Sequence, residues 1–127
     1  MKTIINTSSA PSPIGPYSQA VLHGGTLYAS GQIAIEVETG RLRNEDISQE
    51  TLQVMKNIGA VLEAAEMDYN HILKASIFIK DMDQFTEINQ VYAQFFDESE
   101  APARETVEVS RLPKDVNVEI SIIASKL

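Results

Sequence analysis

Two stretches of this sequence carry apolar residues at helical spacing, and most of the remaining apolar residues are patterned for strands. Behind Asp46, the side chains of Leu52, Met55, Ile58, Leu62 and Ala65 make one stripe. Asp46 with Gln49 three residues on resembles a capping box for that helix. A second helix is expected to open near Asp83, with Phe85, Ile88, Tyr92, Phe95 and Phe96 on its inner face. Around these lie a short strand at Thr3 to Asn6 and a hairpin across Gly24-Gly25. A third strand is expected after the hairpin at Ala34 to Glu38, ending at Thr39-Gly40. The β-branched run "ILKASIFIK" and two closing strands, Glu105 to Ser110 and Val116 to Ala124, complete the set. The order β-β-β-α-β-α-β-β predicts one α+β domain over residues 1–127, a mixed sheet of about six strands with two helices on one face. Two helices cover only one side of such a sheet. The other side keeps apolar side chains, which predicts packing against further copies of the chain.

A chain of 127 residues buries roughly 70% of its unfolded surface and needs no disulfide or metal to fold. There is no cysteine, which removes thiolate nucleophiles and Cys-based zinc sites and fits a reducing compartment. The opening "MKTIINTSSAPSP" lacks the apolar run of a signal peptide, and no segment approaches a membrane span. The expected location is cytoplasmic. A formal charge of −8 opposes phosphate backbones and anionic membranes. It leaves a small anion free to bind one preorganised arginine.

That arginine is Arg104, in "APARETVEVSRLPKD". Strand alternation places Arg104, Thr106 and Glu108 on one face and Val107 and Val109 on the other. On the last strand Asn117, Glu119 and Ser121 alternate with Val118, Ile120 and Ile122. The two strands are expected to be neighbours, each offering a polar row, which makes a site containing Arg104 and Glu119 geometrically possible. An intramolecular Arg–Glu pair is the other reading of the same residues. Tyr17, made rigid by the preceding Gly-Pro, either caps a pocket or packs a loop on the sheet. Gly31 either admits a ligand to the backbone or marks a β-bulge. Asn89, read alone, is a solvated helix residue. His23 and His71 lack the spacing of a metal site, and the chain has no nucleophile elbow, P-loop or dinucleotide fingerprint.

Taken together, "APSPIGPYSQA", "ASGQI" and "PARETVEVSRLPKDVNVEI" resemble the reactive-intermediate deaminase family, RidA (YjgF/UK114), over nearly the whole chain. The resemblance implies a chorismate-mutase-like fold, a homotrimer and ligand clefts between subunits. It implies cofactor-free hydrolysis of 2-imino acids such as 2-iminobutanoate and 2-iminopropanoate, released by pyridoxal-phosphate dehydratases, to 2-oxo acids and ammonia. By the same resemblance Arg104 binds the substrate carboxylate, Glu119 positions water, and Tyr17, Gly31 and Asn89 line the site. Many relatives read "PARSCVEV", and here Glu105 and Thr106 replace the Ser-Cys pair. Thiol chemistry is thereby excluded, while the Thr106 hydroxyl keeps a hydrogen-bonding group at the site. The family has also been linked to regulation and to RNA cleavage. A non-catalytic carboxylate-binding regulator is therefore the alternative reading, and RNA is disfavoured by the charge.

Overall fold

Gly24 and Gly25 adopt φ of +58° and +82°, the left-handed pair that a two-residue hairpin turn requires. They join β2 (Ala20–His23) to β3 (Thr26–Gln32), with His23 opposite Thr26. The computed structural model describes residues 1–126. Its other elements are β1 (Thr3–Ile5), α1 (Ile47–Ala64), β4 (Ile72–Ile79), α2 (Phe85–Ala93), β5 (Ala103–Glu108) and β6 (Val118–Ser125). The six strands form one sheet in the order β1-β2-β3-β6-β4-β5. Every neighbouring pair is antiparallel except β4–β5, whose parallel register is made possible by the α2 crossover between them.

Asp46 caps α1 by accepting from Gln49 N at 2.8 Å. The Gln49 side chain does not return the bond; its Oε1 accepts from Arg43 Nη2 instead, so half of the predicted box forms. The helix buries Val54, Met55, Ile58, Val61 and Leu62 on Leu27, Ile77, Ile79, Ile120 and Ile122 of the sheet. A 3₁₀ turn at Met82–Gln84 precedes α2, which stops at Ala93. Phe95 and Phe96 therefore follow the helix rather than belonging to it. They still pack inward on Tyr69, with ring centroids 4.9 and 6.4 Å away.

The strand predicted at Ala34 to Glu38 does not form. That segment makes one isolated bridge, Ile35 to Leu42, inside a loop closed by Arg43 N to Ala34 O and Glu36 N to Arg41 O. β3 already has β2 on one edge and β6 on the other, so neither edge of the strand it follows is open to receive it. Both helices lie on one side of the sheet. The opposite face carries Ile4, Tyr28 and Val107, which remain 50%, 51% and 40% exposed. Among the described residues no helix is long and apolar enough to cross a membrane.

Candidate functional site

The site residues fall into two groups on opposite faces of the sheet. The first is built by the loop before β2. Gln19 is buried and holds that loop: its Oε1 accepts from Thr7 N at 2.7 Å, and its Nε2 donates to the carbonyls of Thr7, Ala10 and Pro11. Gly15, at φ +127°, turns the chain so that Tyr17 N reaches Gly15 O. Ser30 ties the loop to the end of β3, through its N–H to Gln19 O and its hydroxyl to Ser18 O.

There the β3–β6 register slips between Ala29 and Gln32, a bulge that contains Gly31. The glycine serves a steric purpose: a Cβ at this position would meet Glu119 Oε2 at 2.6 Å and Glu119 Cδ at 2.8 Å. Gly31 is thus the seat of the Glu119 carboxylate. Tyr17, Gly31 and Glu119 share a cavity of about 330 Å³ whose remaining wall includes Pro11, Ile14 and Ile33. Burial raises the Glu119 carboxyl above its ordinary value. Among the described residues it has no ion-pair partner.

The second group surrounds Arg104. Arg104 stands opposite Ala75 in the parallel ladder, and Ala75 is fully buried on the helix side. Its guanidinium lies 5.1 Å from the Tyr92 ring and 5.6 Å from the Phe85 ring, and Nη1 donates to Asn89 Oδ1 at 2.6 Å. Asn89, which looks solvated when α2 is read alone, is in fact the hydrogen-bonding partner of the arginine. Burial pushes the Tyr92 phenol up, and the Arg104 charge pulls it partly back. Arg104 has no carboxylate partner among the described residues. A cavity of about 680 Å³ opens beside it, lined by Asn89, Tyr92, Phe96, Pro102 and Arg104. The Thr106 hydroxyl is buried without a hydrogen-bond partner. Glu105 faces the other way, held by the Ser76 hydroxyl and by Lys74 at 3.1 Å, and these contacts keep its carboxyl below its ordinary value.

The expectation that the polar rows of Arg104 and Glu119 lie on neighbouring strands is corrected by the topology. β4 separates β5 from β6. Glu119 pairs with Phe78, on the open face, and Arg104 with Ala75, on the helix face. Within one chain the two groups do not meet.

Three further residues position the site. Glu50, fully buried on α1, accepts from Asn117 N, Asn117 Nδ2 and Val118 N and so pins the start of β6 two residues before Glu119. Asn57 donates to the carbonyls of Ile33 and Ile35, just past Gly31, and is itself held by Gln53. Glu50, Gln53 and Asn57 recur three and four residues apart, so polar side chains within a buried helix face were the available signal. Among the described residues no three His, Asp or Glu side chains gather as a metal site would require.

Fold and site together define a small α+β protein with a seated carboxylate on one sheet face and a ring-cradled guanidinium on the other. The chain belongs to the Endoribonuclease L-PSP family, whose model matches residues 7–126. It is 52% identical over 126 residues to a RutC family protein of Pyrococcus horikoshii, covering 99% of each chain. Among solved structures, the Rid-family protein YyfA from Yersinia pestis is 50% identical with a TM-score of 0.95, covering 98% of this chain and 99% of that one. Escherichia coli TdcF, solved with bound serine, is 42% identical with a TM-score of 0.92 and the same coverage. The Rid/YjgF resemblance and the chorismate-mutase-like α+β fold are both upheld.

Proposed function

We propose that this chain hydrolyses 2-imino acids and their enamine tautomers, including 2-iminobutanoate and 2-iminopropanoate, to 2-oxo acids and ammonia. The observation that carries the reading is the condition of Arg104. Its charge is held between two aromatic rings and a neutral amide, with no protein carboxylate competing for it. A planar guanidinium so placed grips a substrate carboxylate through two parallel N–H···O bonds. That grip fixes the adjacent C=N carbon, and positioning is the main requirement for an imine that already hydrolyses in water. Water adds to this carbon while Glu119 takes its proton; the C–N bond then breaks, nitrogen leaves as ammonia and the carbonyl forms. Burial makes Glu119 a stronger base than an exposed carboxylate. The reaction needs no redox partner.

Because the two groups lie on opposite faces of the sheet, the reading places the reaction between copies of the chain. Tyr17, Gly31 and Glu119 of one copy face Asn89, Arg104 and Thr106 of the next around the β5 edge of its sheet, in a homotrimer whose uncovered sheet faces pack together. The serine bound to TdcF, a small carboxylate-bearing amino acid, supports a site of this chemistry. The family description names an endoribonuclease. A formal charge of −8 opposes binding to a phosphate backbone, and that activity is not carried over. The proposed setting is the cytoplasm.

The test couples a serine or threonine dehydratase to this protein and follows 2-oxo acid formation where spontaneous hydrolysis limits the rate. Acceleration by wild type, reduced roughly 10–100-fold in Arg104→Ala by loss of a charged hydrogen-bond pair, is the expected result. Arg104→Lys is expected to recover little, because an ammonium lacks the fork. Equal acceleration by Arg104→Ala, or none by wild type, defeats the proposal. Tight carboxylate binding without turnover establishes the regulatory alternative.

A further inference from the structure

Lys114 and Asp115 stand at φ of +55° and +56°, a backbone conformation that residues other than glycine keep only where their surroundings enforce it. Here the enforcement is visible. Asp115 accepts from Arg111 Nε at 2.6 Å and Nη2 at 3.2 Å, Asp115 N donates to Leu112 O, and Leu112 is buried. The turn fixes Lys114 between two cavities. One is the cavity of Tyr17, Gly31 and Glu119. The other, about 380 Å³, continues past it to Ala10, Val37 and Gly40. Pro11, Ser12, Ile14, Ile35 and Lys114 line both, so the two are lobes of one cleft.

The lobes differ in chemistry. The near lobe holds the Glu119 carboxylate. The far lobe is walled largely by Ala10, Pro11, Ile14, Ile35 and Val37, and Lys114 is its one ionisable group. Lys114 is exposed and forms no ion pair among the described residues. Its methylene stem can wall the cleft while the ammonium stays in water. A side chain as short as that of 2-iminobutanoate has no need of this second space.

We infer that the far lobe is a side-chain subsite that takes the aliphatic tail of longer 2-imino acids. Lys114 is the divider, and the lobe sets the chain-length preference of the site. The inference rests on the imine-hydrolysis reading for its substrate, but its geometry is testable without turnover.

Calorimetry with 2-oxobutanoate and 2-oxohexanoate, which differ by two methylenes, provides that test. Wild type is expected to bind the six-carbon acid about tenfold more tightly, the value of burying those methylenes. In Val37→Trp, where an indole fills the far lobe, the preference is expected to fall to unity. Equal affinities in wild type, or a preference that survives in Val37→Trp, overturn the inference. The wild-type comparison decides alone if the variant does not fold. A dehydratase-coupled assay run beside it separates the two proposals: chain-length preference without imine hydrolysis keeps the subsite and defeats the reaction, and hydrolysis without preference does the reverse.

Discussion

Burial raises the Glu119 carboxyl above its ordinary 4.5, so over a window above that pH the folded chain keeps a proton there that the unfolded chain has lost. Stability linked to this group is therefore present at low pH and is lost as pH rises through the folded value. Glu119→Gln mimics the protonated form and is expected to melt higher than wild type at pH 7, with the gain vanishing below about pH 4. Thermal melts against pH check this. The same variant is expected to lose most imine hydrolysis, since the amide accepts no proton. In wild type the acid limb of kcat/KM is expected above pH 4.5 for the same reason. Gly31→Ala probes the seat itself. The new Cβ collides with the movable end of Glu119, so the carboxylate leaves the cavity. Activity is expected to fall about tenfold or more, while stability drops by no more than the roughly 1–3 kcal/mol of an overpacked site. Arg104, Tyr17, Gly31 and Glu119 were all legible as candidates from sequence. That Gly31 exists to admit Glu119 was not, because the pair lies 88 residues apart in the chain and meets only across the β3–β6 bulge.

At the scale of elements, α1 does more than cover the sheet. Its polar residues Glu50 and Asn57 fix the segments on either side of the first cavity. Gly59 lets the Tyr69 ring press into the helix, where its hydroxyl donates to Met55 O at 2.7 Å and burial pushes the phenol up to about 12. Helix propensity alone says Gly59→Ala should stabilise by about 1 kcal/mol. The Cβ would instead collide with the Tyr69 hydroxyl, and net destabilisation of roughly 1–3 kcal/mol is expected by chemical denaturation. A stabilised variant would show that the ring is not wedged there. The apolar stripe of α1 is plain from spacing, whereas the roles of Glu50 and Asn57 are not, because Glu50 binds Asn117 and Val118 and Asn57 binds the carbonyls of Ile33 and Ile35, all more than 20 residues away in the chain. The lost strand at Ala34 to Glu38 has a similar origin: its local pattern suits a strand, and only the sheet order shows that both edges of β3 are taken.

For the whole molecule, the proposed site exists only where one copy's Arg104 meets another copy's Glu119. Arg104→Ala and Glu119→Gln are each expected to be nearly inactive alone. Unfolded together in equal amounts and refolded, they are expected to recover about a quarter of wild-type activity, the fraction of shared sites that receive both intact residues in a cyclic assembly. If mixed samples stay as inactive as their parents, the two groups do not act across copies. The uncovered face with Ile4, Tyr28 and Val107 supplies an apolar surface for that assembly.

The pattern of apolar residues by itself determined two helices, the six strands that form (with a seventh, at Ala34 to Glu38, that does not) and a sheet with one face left uncovered, because those features depend on spacing within short windows. The motifs also singled out the residues with chemistry to offer. Tertiary structure alone decided which of them share a face. Strand order depends on which edges remain free after folding, and the insertion of β4 between β5 and β6 sends Arg104 and Glu119 to opposite sides of the sheet, a consequence no local pattern encodes.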